Sequence, residues 1–166
     1  MSENNGGKEG FTLGLALMDA IPCIAFGIDM GLLAKPLQSP LFLVGAVESL
    51  FAGLAMVFYK IMLAVFKKDY PVCKKIMPIG MTIGWVTMIL AAVINRSKIS
   101  IAGIWASVTS MPAMAFFIAG IAFFIAFFTY FKTKFNADSA KDNWVEEILN
   151  ACTQICILIG VILSVK

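Results

Sequence analysis

Three acidic residues sit where acids are costly. Asp19 and Asp29 interrupt the apolar segment LALMDAIPCIAFGIDMGLLAK, and Glu48 interrupts LFLVGAVESLFAGLAM. An ionised side chain in hydrocarbon costs several kcal/mol unless it is paired, protonated or facing water, so each is a candidate site for a cation or a proton. Asp19, Pro22, Phe26 and Asp29 recur at i, i+3, i+7 and i+10. That spacing puts them on one side of a helix, with about 15 Å between the two aspartates. Pro22 frees the carbonyl of Met18, beside Asp19. A carboxyl group next to an unpaired carbonyl suits a small cation, or an acid held protonated until water reaches it. Glu48 comes from the far end of the next helix, about 12 Å along it, so an antiparallel hairpin sets it at a depth between the aspartates. The plainer readings are that Asp29 is solvated near an interface, and that Asp19 or Glu48 is a neutral hydrogen-bonding group between helices.

Neutral ligands are offered by a polar stripe near the C-terminus, where Glu147, Asn150 and Gln154 fall at i, i+3 and i+7 with Thr153 alongside. The stripe lines a vestibule to the buried acids, or it pairs with basic loop residues; the second reading is preferred for Glu146 and Glu147. The predicted site is therefore Asp19, Asp29, Glu48, Asn150 and Gln154. No cofactor and no metal centre are expected. The chain has no His, which removes the commonest metal ligand and proton shuttle. Cys152 and Cys156 lie one helical turn apart, but two thiols do not make a metal site. No CxxC spacing supports a disulfide framework either.

The elements that must position these groups are helices in a membrane. Of 166 residues, 60% are hydrophobic and only 14% charged, against about a quarter charged in a soluble domain. The apolar runs exceed the roughly 18 residues needed to span a bilayer, and none shows the short alternation of a membrane barrel. The expected fold is all-α, a polytopic membrane protein with five transmembrane helices. Spans are predicted over 11–34, 40–66, 76–94, 112–131 and 144–165. A short interfacial or re-entrant helix over 99–111 precedes the fourth; the alternative is one long helix kinked at Pro112. Residues 1–10 read as a flexible cytoplasmic tail without a cleavable signal pattern, and 11–166 as one membrane domain.

The net charge of +3 is carried by cations at span ends, which indicates topology and not nucleic-acid binding. Leaving out Lys60, which lies within the second span, eight Lys fall on the side of the N-terminus and four Lys or Arg on the other. The positive-inside rule then puts the N-terminus in the cytoplasm and the C-terminus outside, in a plasma or inner membrane. A shift of 72 residues aligns Pro40 with Pro112 and Lys60 with Lys132, but Pro starts and Lys stops recur in unrelated spans. Gly27/Gly31 and Gly80/Gly84 have GxxxG spacing, and Gly45, Ser49 and Gly53 form a similar ladder, read here as ordinary helix packing.

Three functions fit. The first is a small transporter or solute-binding membrane subunit for a cation, proton or small solute. The second is a non-catalytic subunit packing against partner helices. The third is a membrane enzyme, disfavoured because GID at 27–29 lacks the second glycine of GxGD and the loops carry no acid-rich metal motif. Expected partners are the lipid bilayer, a small solute or cation, and a second copy or a membrane partner subunit.

Overall fold

A computed structural model describes residues 12–134, 136 and 139–165. The predicted tail, 1–10, lies outside them. The described chain is helical, with α1 (Leu13–Leu37), α2 (Pro40–Phe66), α3 (Pro71–Ile94), α4 (Ile101–Thr109), α5 (Ala113–Thr133) and α6 (Ala140–Ser164). All except α4 are long and apolar enough to cross a membrane, so the chain is an integral membrane protein with five such helices.

Helix boundaries follow local chemistry. Pro40 and Pro71 occupy first-turn positions, where the missing N–H costs nothing. Because Pro71 starts α3, that helix begins five residues before the predicted span and takes in Lys74 and Lys75. Thr12, Ser39, Ser100 and Ser139 cap α1, α2, α4 and α6, each hydroxyl accepting a first-turn backbone N–H. Ser139 starts α6 a turn earlier than the apolar pattern does. Pro36 does not close α1. The helix runs one residue past it, and Gln38, in the left-handed region at φ 46°, ends it by donating its N–H to the carbonyls of Ala34 and Lys35. Between Ser110 and Pro112 the helix is broken, so α4 and α5 are separate helices and the long kinked alternative falls away. At nine residues α4 is about 14 Å long, too short to span.

The helices pack in the order α3, α2, α1, α6, α5, with α1 at the centre, while α4 lies on α5 and α6; α1 and α6 run parallel, their N-terminal ends level, and the other neighbouring spans are antiparallel. The α2/α3 seam is the closest. A Cβ built on Gly84 would lie 2.1 Å from Ser49 Oγ and 2.7 Å from the Gly45 carbonyl oxygen, so these backbones meet only because both positions lack a side chain. Two apolar clusters mark the ends. Leu15, Tyr59 and Leu63, with Cys73 and Trp144 packed on them, sit at the end that carries Lys67, Lys68 and Lys141, here the basic end. Phe42, Ala46, Met88 and Ala91 sit toward the opposite end. At the basic end, Tyr130 donates to Asp142 at 2.7 Å, tying α5 to the first turn of α6. Lys132, which the 72-residue shift pairs with Lys60, lies over the Phe128 ring, an environment unlike that of Lys60.

Candidate functional site

The bundle holds a buried ionic triad. Lys60, six residues from the end of α2, places its ammonium 3.0 Å from Asp19 Oδ2 on α1 and donates a hydrogen bond to Glu147 Oε1 on α6. Lys60 is 4% exposed, Glu147 3% and Asp19 7%. The three residues stand six to seven positions inside their helix ends at the basic end, about 10 Å along each helix. With all three ionised, two carboxylates surround one ammonium and the net charge is −1. Glu147 Oε2 is buried and accepts no hydrogen bond among the described residues.

Each triad residue is framed along its helix by what lies one turn away. Toward the basic end stand Leu15, Leu63 and Trp144, members of one apolar cluster that closes the triad off from that end. Toward the bundle centre a half-open cavity of about 160 Å³ begins, and Cys23, Phe26, Ser49, Trp85, Asn150 and Gln154 are among its walls. Phe26 and Trp85 meet at 5.8 Å between ring centroids, tilted by 52°, which joins α1 to α3 across the cavity. An apolar cavity of about this volume admits one benzene-sized molecule. Here the walls also carry two amides and a hydroxyl, so the space suits a small polar solute.

The sequence-derived candidates distribute as follows. Asp19 lies in the triad, while Asn150 and Gln154 line the cavity beside it. Asp29 is 1% exposed, and neither of its carboxyl oxygens has a hydrogen-bond partner among the described residues. It is therefore not solvated at an interface. An unpaired carboxylate buried in this way is so costly that the group needs a proton or a bound cation. Glu48 is half-buried, does not line the cavity, and is twelve residues from Lys60 on the same helix, about 18 Å away. It does not join Asp19. Lys60, left out of the topology count as a charge within the second span, is the cation on which Asp19 and Glu147 converge. The signal was present, since the rule that singles out an intramembrane Asp applies equally to an intramembrane Lys. Glu147 was legible as part of the stripe, but its partner is the buried Lys60 and not a loop cation.

The four cysteines are free thiols, and among the described residues no three His, Cys, Asp or Glu come together as a metal site. No family model matches the chain, and neither does any curated protein or solved structure.

Proposed function

We propose that the protein is a small proton-coupled carrier, with Asp19, Lys60 and Glu147 as the proton-handling group and the adjoining cavity as the solute site. The observation that carries this reading is the excess of one negative charge in a buried triad placed against a cavity with neutral polar walls. A proton shared by the carboxyl groups neutralises the triad. Its loss leaves a charge that a cation entering the cavity compensates. The favoured solute is therefore small and cationic or neutral, since an anion meets Asp19 and Glu147 with no unpaired ammonium to receive it. The aromatic pair Phe26 and Trp85 also presents faces to which a cation is attracted. Movement of the Leu15, Leu63 and Trp144 cluster would open the triad to water from the basic end, and the basic end faces the cytoplasm by its excess of lysines. A second reading, a non-catalytic subunit, rests on one feature: α3 and α6 both line the cavity without packing extensively on each other, which leaves a side for a partner helix.

In proteoliposomes, addition of a small amine is expected to drive proton movement that Asp19→Asn and Glu147→Gln each abolish. Asn150→Leu should raise the half-saturating concentration about tenfold, the equivalent of one lost hydrogen bond. Undiminished coupled movement in both acid variants would sink the mechanism, and a stoichiometric partner on purification would favour the second reading. For orientation, a reporter domain that works only outside the cytoplasm should be active when fused after residue 166; an inactive fusion together with an active cytoplasm-only reporter at the same position would reverse the assignment.

A further inference from the structure

The end opposite the triad contains a larger half-open cavity, of about 630 Å³, lined by the end of α1, the start of α2, α4, α5 and the last turns of α6. Leu33, Phe42, Ile104, Phe117, Ile157 and Val161 give it an almost wholly apolar wall. Water is poorly held in such a space because it needs two to four polar partners. The polar groups nearby are largely engaged already. Ser100 Oγ accepts from the Gly103 N–H, and Ser164 Oγ donates to the Gly160 carbonyl. Among the described residues, one cation remains at the wall. Lys98 is exposed and donates to the Leu37 carbonyl at 3.3 Å, which uses one of its three N–H groups. Lys35, next to the wall residue Pro36, and Arg96, two residues before Lys98, are also exposed. The segments 35–40 and 95–112 contain no acid.

We infer that this cavity is a binding site for an anionic phospholipid of the surrounding bilayer, with one acyl chain between α1, α4, α5 and α6 and the phosphate at Lys98. The two halves of such a molecule match the two halves of the site. Hydrocarbon suits an apolar space that holds water poorly, and the phosphate meets a rim that is positive, with no carboxylate among the described residues that line it. A zwitterionic lipid supplies the same chain but gains less at the rim, so headgroup charge decides selectivity. The short helix α4 thereby acquires a task. It is too short to cross the bilayer, and it walls a chain-binding chamber beside the spanning helices.

The test is native mass spectrometry of the full chain released from vesicles of equal phosphatidylglycerol and phosphatidylcholine. The wild type should retain one phosphatidylglycerol in clear preference to phosphatidylcholine. Lys98→Gln should reduce that preference at least threefold while a lipid is still held. Ile104→Trp fills the chamber from α4, and Val161→Trp fills it from α6; whichever folds by circular dichroism should lose the retained lipid. Equal retention of the two lipids by the wild type, or full retention of phosphatidylglycerol by a folded, filled variant, would overturn the assignment.

Discussion

Lys60→Met is expected to destabilise the protein by about 3–5 kcal/mol, the usual consequence of removing one partner from a buried ion pair. The side chain volume is nearly conserved, so the loss comes from electrostatics and not from a cavity. Asp19 and Glu147 are held on α1 and α6 around the place where the ammonium stood, and without it two carboxyl groups face each other inside the bundle. They must take up protons or force the helices apart, and α1 packs on both α2 and α6. Thermal unfolding in mild detergent reads the effect directly. The combined variant Asp19→Asn, Lys60→Met, Glu147→Gln removes all three charges at little cost in shape, and it should recover most of the lost stability. It should not recover proton coupling. These two measurements separate a structural triad from a working one: stability restored together with coupling would leave the triad without a functional role, whereas wild-type stability of Lys60→Met alone would mean the pair is not buried as described.

The class of the fold was legible because bilayer thickness imposes a length on every span, and five apolar runs met it. Boundaries were legible where a proline begins a helix, as at Pro40, and less so where polar caps extend it, as at Ser139 with α6. The packing order was not legible. Alternation of helix direction says which ends are level but not which helices are neighbours: α1 and α6, from opposite ends of the chain, pack together, and Glu147 on α6 reaches Lys60 on α2 across 87 positions of sequence. That non-local contact is what the site consists of. Asp19 was identified by its cost in an apolar run and Glu147 by its stripe, yet neither reveals that both converge on a lysine of α2. Glu48 shows the limit of the same argument. It too interrupts an apolar run, and it sits half-buried and apart from the triad.

Gly84→Ala should destabilise the bundle by about 1–3 kcal/mol, as overpacking does, although alanine is the better helix former by about 0.5–1 kcal/mol. The new methyl group would fall 2.1 Å from Ser49 Oγ, 2.7 Å from the Gly45 carbonyl oxygen and 2.9 Å from the Ser49 backbone nitrogen. A rotamer change by Ser49 relieves the first contact only. The other two are with the α2 backbone, so α3 has to move away as a body. Trp85 is the next residue on α3, and its displacement should separate it from Phe26 and widen the solute cavity. Weakened solute binding and altered Trp fluorescence should therefore accompany the lower unfolding temperature. Gly31→Ala is the matched comparison. Gly31 also belongs to a GxxxG pair, but nothing lies within 4 Å of the Cβ it would gain, so its substitution should be neutral or slightly stabilising. A Gly84→Ala protein as stable as Gly31→Ala would mean that α2 and α3 do not approach at backbone contact, and the wall of the cavity that α3 supplies would have to be placed differently. If instead only Gly84→Ala loses both stability and solute affinity, the close seam at Gly45 and Gly84 is what holds Trp85 against the site.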